Sequence, residues 1–395
     1  MSERVKMHEC RVGAVGAMNI TLFGYYGFRN LGDDLMLEGI LNALAEAPAV
    51  KRINVLVQDN HYSYLEHPKV VFYEARGLLR KLRRVRLLFT TDCAIWGGGT
   101  CLFEGKENGA KNLKRLYRNV LAFRLFRRPF MWWGVGIGEI YTPKGREFIA
   151  GTLSNSSLAI FREKESYFQA ISLLGHADMF SLGGDLVFLM ADKIENMRKR
   201  GQERTTIRSI GFSGMGRFKA DQDIVRTYAS ILESLIREMD VRICFLPMQR
   251  GLNSDNDFHG QIAKSLPRGT YEFLEYDSPE EAMRLMGGLD FLIGMRLHSI
   301  ILADLLLIPN IAVGYASKVA AYVRKSGFLV DCRVVRLGEP ISSARVQQVA
   351  SRHSLERESL LTYIDRERKD AWSSLGTLYE VFHFQPTRFR KGSDF

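Results

Sequence analysis

Arg296 and His298 stand two residues apart in the segment Gly294 to Ser299, so an extended chain turns both side chains to one side. A guanidinium beside an imidazole makes a clamp for phosphate or carboxylate with a titratable partner. Ser299 follows directly, and the next apolar segment, from Ile311, delivers Tyr315 and Lys318. Together they describe an anion site. Earlier in the chain, the turn Gly24 to Asp34 combines glycines with Arg29, Asn30, Asp33 and Asp34. Such a turn lets a ligand approach the backbone, and the helix after it offers free N–H groups to an anion. Its spacing is not the dinucleotide-binding G-x-G-x-x-G. The alternative is a tight β–α turn with Asn30, Asp33 or Asp34 as the helix cap.

Three further strand ends are candidates. Gly97, Gly98 and Gly99 cost backbone entropy, which implies close approach of a ligand or of other backbone. Gly134 to Gly138 has the same two readings, and Glu139 just beyond it could hydrogen-bond a sugar hydroxyl. Trp132 and Trp133 read as core, with one of them available to stack on a sugar ring. Arg162 leaves an apolar strand, where a charge is costly unless paired. It binds an anion or pairs with Glu163 or Asp185.

These side chains need a scaffold that gathers strand ends. Eight apolar segments stop at a glycine or at a polar cluster, beginning near 18, 93, 130, 158, 209, 241, 291 and 311. Helical patterns lie between them. Strands alternating with helices, twice over, predict an α/β protein with two Rossmann-like doubly wound domains facing a cleft. Ligands of such sheets bind beyond the carboxyl ends of the strands. The expected division is 18–190 for the first domain and 191–208 for a charged linker without an apolar stripe. The second domain covers 209–340, followed by C-terminal helices at 341–385 and a mobile tail at 386–395.

Length and composition agree with two domains in 395 residues. No apolar run is long enough to span a bilayer, and the first residues lack the apolar core of a signal peptide. The five cysteines are scattered without CxxC spacing, so neither a disulfide framework nor a zinc site is expected and a cytoplasmic setting is. The net charge of +11 concentrates in 76–89 and 111–128, where cations alternate with Leu, Val, Tyr and Phe. Basic amphipathic helices can lie on an anionic membrane. The plainer reading is two surface helices that bury their apolar faces on the sheet. No nucleic-acid-binding pattern is present, and no nucleic-acid partner is expected.

In this order, the motifs resemble the polysaccharide pyruvyl transferase family. The turn at 24–34, the glycines at 97–99 and 134–138, and Arg162-Glu163 with Ser166 match family elements. So do Arg296-Leu297-His298 and Tyr315 with Lys318. Glu163 stands where Asp is more usual. The resemblance covers roughly 18–330 and implies a two-domain fold similar to GT-B glycosyltransferases. It implies transfer of pyruvate from phosphoenolpyruvate to two sugar hydroxyls as a cyclic ketal, in exopolysaccharide or cell-wall polymer synthesis. No cofactor and no metal are needed.

On that footing, Arg296, His298 and Lys318 hold phosphoenolpyruvate, with His298 as proton donor, and Asp34 is the base on the acceptor hydroxyl. Tyr315, Ser299, Arg162, Asn30, Gly97, Gly98, Gly99 and Glu139 complete the binding set. The acceptor is a sugar or a lipid-linked oligosaccharide, which places the protein in the cytoplasm or on the inner face of the plasma membrane. The rival readings are a nucleotide-sugar glycosyltransferase of the same fold and a non-catalytic scaffold of a polysaccharide assembly complex.

Overall fold

The computed structural model describes residues 17–74, 80–105, 109–198, 206–251, 253–314 and 317–388. The first domain holds strands β1 (Met18–Phe23), β2 (Val50–Val57), β3 (Val70–Glu74), β4 (Cys93–Leu102), β5 (Phe130–Ile137), β6 (Leu158–Phe161) and β7 (Phe180–Leu182). Its helices are α1 (Leu31–Ala45), α2 (Arg80–Thr90), α3 (Lys111–Leu125), α4 (Pro143–Ser154), α5 (Lys164–Leu174) and the short α6 (Ala191–Glu195). The second domain holds β8 (Ser209–Ser213), β9 (Arg242–Phe245), β10 (Tyr271–Phe273), β11 (Phe291–Gly294), β12 (Asn310–Gly314) and β13 (Val334–Arg336). Between these strands run α7 (Gln222–Met239), α8 (Asp255–Ala263), α9 (Pro279–Gly287), α10 (Leu297–Leu305), α11 (Ser317–Ser326) and α12 (Val330–Arg333). Helices α13 (Ser343–Leu355) and α14 (Arg357–Arg388) close the described chain.

The sheets are ordered β3-β2-β1-β4-β5-β6-β7 and β10-β9-β8-β11-β12-β13. The strand pairs of both are parallel. Renumbered within its own domain, the second order is 3-2-1-4-5-6, and the first begins the same way. Each sheet therefore reverses direction once, between β1 and β4 and between β8 and β11. Those are the places where a doubly wound sheet opens a crevice for ligand.

Two strands depart from the expected abrupt stops. β4 continues through Gly97–Gly99 to Leu102, and β5 continues through Gly134 and Gly136 to Ile137. Gly97 and Gly98 in β4, and Gly134 in β5 against Leu186, serve the packing of the sheet. A Cβ on Gly97 would lie 2.5 Å from Ile40 Cδ1, and one on Gly98 2.7 Å from Met36 Sδ. Gly97 and Gly98 let α1 press onto the sheet. Helix α1 is apolar on most of its surface because it is covered on most sides: Leu35, Met36, Leu37, Ile40 and Leu44 are all fully buried. The edge strands β7 and β13, three residues each, had no clear sequence signal, whereas β3 carries an apolar run, Val70 to Tyr73, beyond the eight expected segments.

The expected linker begins as α6, with Ala191 and Ile194 buried. At the other end, α14 runs to Arg388, past the expected limit of 385, and the remainder of the expected tail lies outside the described residues. Helix α14 returns to the first domain. Trp133 Nε1 donates to Ser374 Oγ at 2.7 Å, Arg368 pairs with Asp192, and Tyr379 Oη donates to the carbonyl of Ala43. Trp132 Nε1 donates to Ser156 Oγ. Both tryptophans are fully buried, so neither is available to a sugar.

Replacing Ser374 by Ala leaves the buried Trp133 indole N–H without its acceptor. Unfolding in urea should show a loss of about 1–3 kcal/mol.

Candidate active site

The sheet reversals of the two domains are joined by a run of partly buried hydrogen bonds. Asn30 caps α1, its Oδ1 accepting from the N–H groups of Gly32 and Asp33. Its Nδ2 donates to Gln249 Oε1 at 3.0 Å in the second domain. Gln249 Nε2 in turn donates to the Phe28 carbonyl, and Leu31 N–H donates to the Met248 carbonyl. Asn30 is thus a cap and an interdomain tie, which uses both ends of its amide.

The 248–249 backbone is itself fixed by Asp255, a fully buried residue in the first turn of α8. The Asp255 carboxylate accepts from the N–H groups of Gly216, Met248 and Gln249. It also receives Arg296 Nη2 at 2.6 Å and Nε at 3.2 Å, a two-pronged pair. Arg296 is the extended residue just before α10, and His298 lies in that helix's first turn. The segment therefore leaves the extended form in which both side chains would share one side. Ser299 is fully buried and donates to the Arg296 carbonyl at 2.7 Å, so it shapes the turn and is closed to substrate.

His298 leans across to the first domain. A Cβ on Gly32 would fall 1.9 Å from His298 Nδ1, so only glycine lets the imidazole rest on the start of α1. His298 Nε2 is buried and lacks a hydrogen bond among the described residues, with Asp185 Oδ2 3.8 Å away. Asp185 binds Arg162 Nη1 at 2.9 Å, and Arg162 Nη2 donates to Thr100 Oγ1. Burial would raise the Asp185 carboxyl, but His298 and Arg162 outweigh it and hold the group well below the ordinary carboxylate range. Arg162 takes the ion-pair reading, with Asp185 and Glu163 as its partners.

Lys318 and Asp33 complete the group. Burial, with Arg162 nearby, brings the Lys318 amine down to about 8. Burial pushes the Asp33 carboxyl up to about 6, against the pull of His298, Lys318 and Arg162. Asp33 Oδ1 would be 3.5 Å from a Cβ on Gly99, where the space is otherwise open. Of the three glycines at 97–99, only Gly99 therefore faces the cluster.

Asp34 does not join it. Tyr62 Oη donates to Asp34 Oδ1 at 2.6 Å and His61 Nε2 sits 3.4 Å from Oδ2. Gly27 N–H donates to the same Tyr62 hydroxyl. The buried Asp34 thus anchors the 24–30 turn through Tyr62, because successive residues on a helix point about 100° apart. Glu139 is exposed and bonded by the Tyr141 hydroxyl, outside the cluster. Tyr315 lies outside the described residues.

The residues brought together are Asp33, Gly99, Thr100, Arg162, Asp185, Asp255, Arg296, His298 and Lys318. Asp255, Thr100 and Gln249 were missed in the sequence. Asp255 stands in a Ser-Asp-Asn-Asp run that reads as an ordinary helix start. Among the described residues, no group of three His, Cys, Asp or Glu is placed to hold a metal ion.

The family model for polysaccharide pyruvyl transferase matches residues 30–317, which hold every residue of this cluster except Lys318, one position beyond the match. The chain belongs to the polysaccharide pyruvyl transferase family. No curated protein is significantly similar to this family member in sequence. Among solved structures it is similar to HepE of Anabaena in complex with UDP-glucose, at TM-score 0.54 and 15% identity over 92% of this chain and 98% of that one. It is also similar to MnaA of S. aureus in its UDP co-structure, at TM-score 0.58 and 12% identity over 95% and 99%. The UDP-GlcNAc 2-epimerase of Neisseria meningitidis aligns at TM-score 0.54 and 10% identity over 92% and 98%. At these identities the likeness establishes the GT-B-like fold of this family member and leaves its chemistry to its own residues.

Gly32→Ala places a methyl group against His298. Its expected signature is a loss of activity of at least about tenfold, since a displacement near 1 Å within a candidate active site is enough for that. Asp255→Asn is expected to cost roughly 3 kcal/mol in thermal or urea unfolding, because it breaks a buried pair on one side.

Proposed function

We propose that the protein transfers pyruvate from phosphoenolpyruvate to two hydroxyls of a sugar, forming a cyclic ketal and releasing phosphate. The observation that carries this reading is the convergence of Arg296, His298 and Lys318 from one domain with Arg162 and Asp33 from the other. Phosphoenolpyruvate carries a phosphate and a carboxylate, and a site for it needs several cations and a proton donor.

In this reading, Arg296 and Lys318 bind the anionic groups of phosphoenolpyruvate. Asp255 engages Nε and Nη2 of Arg296, which leaves the Nη1 edge for substrate. His298 delivers a proton to the methylene carbon, which becomes the methyl group, and the positive charge develops at the carbon bearing the phosphate. Asp33 replaces Asp34 as the base. It takes the proton of the first sugar hydroxyl as that oxygen bonds to the central carbon. The second hydroxyl then displaces the phosphate. Two hydroxyl protons leave the sugar; the balance puts one on the new methyl group and one on the phosphate. Arg162, bound to Asp185 and Thr100, adds positive potential without releasing its partners.

The sugar is assigned to the mouth of the first domain. There Tyr25 stacks on Phe28, with ring centroids 4.0 Å apart and planes 5° from parallel, and Tyr25 as a residue is 47% exposed. Burial, with Asp33 adding to it and Arg296 opposing it, raises the Tyr25 hydroxyl above its ordinary value, which supports an aromatic face within electrostatic reach of the cluster. An exposed aromatic face of this kind suits the C–H face of a pyranose ring.

Three outcomes are expected. Phosphoenolpyruvate should raise the melting temperature, with Arg296→Ala and Lys318→Ala removing the shift; stabilisation only by UDP- or GDP-sugars would select glycosyl transfer instead. Asp33→Asn should lower kcat by about a hundredfold or more, while Asp34→Asn acts mainly on stability. Finally, kcat/KM should be bell-shaped. Asp33 must lose its proton, so activity rises through pH about 6. Lys318 must keep its proton and His298 must carry the one it delivers, so activity is lost on the basic side by the time Lys318 deprotonates at pH about 8. Loss of the acidic limb in Asp33→Asn would confirm the assignment; an unchanged profile would remove it. Full ketal formation by Arg296→Ala or His298→Ala would mean a scaffold whose product comes from another protein.

A further inference from the structure

The two basic segments account for more than the whole net charge. Residues 76–89 and 111–128 carry thirteen Lys and Arg and no Asp or Glu, against a net charge of +11 for the chain. The remainder of the protein is therefore slightly acidic. In a doubly wound sheet of this order, the right-handed crossovers from β3 to β4 and from β4 to β5 lay α2 and α3 on the same outer face. Their ends meet: the rings of Phe89 and Phe126 are 5.0 Å apart at 72°.

The apolar stripe of α3 serves the sheet, since Leu113, Leu116, Val120 and Phe123 are all buried. That accounts for the plainer reading of an ordinary surface helix, but only for those residues. Val85, Phe89, Leu125 and Phe126 form no part of it and remain 51%, 61%, 80% and 38% exposed. They gather where the ends of α2 and α3 meet. Arg86, Arg124 and Arg127, all exposed, stand among them, and Lys114, Arg115 and Arg118 extend the positive face along α3. Among the described residues, no carboxylate forms an ion pair with Arg86, Lys114, Arg115, Arg118 or Arg127.

We propose that α2 and α3 together form a docking face for an anionic lipid bilayer, with Val85, Phe89, Leu125 and Phe126 entering the headgroup region and the surrounding cations held by lipid phosphates. Charge complementarity selects an anionic surface, and the exposed apolar tip selects lipid over nucleic acid. A phosphodiester backbone is satisfied by cations alone and gives no reason for four bare apolar side chains. The inference does not rest on the pyruvyl-transfer reading, because none of these residues belongs to the cleft.

The test is co-sedimentation of the full chain with vesicles of pure phosphatidylcholine or with about one-third phosphatidylglycerol, at about 0.1 M salt. Partitioning onto the anionic vesicles should be at least about tenfold stronger. The quadruple variant R86Q/R115Q/R118Q/R127Q should lose about tenfold or more of it, and the double variant L125S/F126S a similar amount. A thermal melt checks that both stay folded. Leu125→Trp gives a second readout that needs no loss of binding: its emission should shift to the blue on anionic vesicles. Equal partitioning on the two vesicle types, unaltered binding by either variant, or no emission shift would overturn the proposal. So would displacement from the vesicles by an equimolar RNA duplex, which would assign the face to nucleic acid.

Discussion

One buried carboxylate holds the two halves of this protein in register. Asp255 has no solvent exposure, so it must find its compensation inside the protein. It does so with three backbone N–H groups and both nitrogens of one Arg296 edge. A buried ion pair contributes little net stability against a well-packed apolar alternative. What it supplies here is position. The same carboxylate that orients Arg296 also fixes the 248–249 backbone, to which Leu31 binds through the Met248 carbonyl, while the Gln249 side chain carried on it binds Asn30 and the Phe28 carbonyl. The start of α1, with Asp33, is therefore placed relative to Arg296 through a single anion.

The first domain solves the equivalent problem with Asp185, which holds Arg162 at the end of β6 and faces His298 across the cleft. Two guanidiniums, each held by a buried aspartate, stand at the ends of two sheets of like topology. Between them, Lys318 loses part of its hold on its proton and Asp33 gains hold on its own, both chiefly through burial. The cleft thus keeps four cationic or cationisable side chains close together with few direct neutralising contacts at Lys318 and His298. An incoming anion relieves that repulsion, which is the physical basis for expecting a doubly anionic donor here.

The strand–helix alternation was plain in the sequence, since buried parallel strands are continuous apolar runs and their helices carry clear caps such as Asn30 and Ser278. Arg296, His298 and Lys318 were also legible, because charged residues directly after apolar runs are conspicuous. The choice between Asp33 and Asp34 was not. Adjacent on a helix start, they differ only in direction, and the direction is set by Tyr62 and His61 from the loop after β2. The glycines at 97–99 held two readings open, and each proved true of different members: Gly97 and Gly98 admit α1, while Gly99 faces Asp33.

By itself, the sequence determined the class of fold, the two-domain division and the cations of the second domain, all of which are local properties of pattern and residue type. The tertiary structure decided which carboxylate enters the cleft, which buried aspartate holds each of Arg162 and Arg296, and which apolar side chains stay uncovered on α2 and α3. Those outcomes depend on residues that lie far apart in the chain and meet only when the two sheets pack. Burial and partnership belong to the assembled neighbourhood of a residue, and its immediate sequence does not encode them.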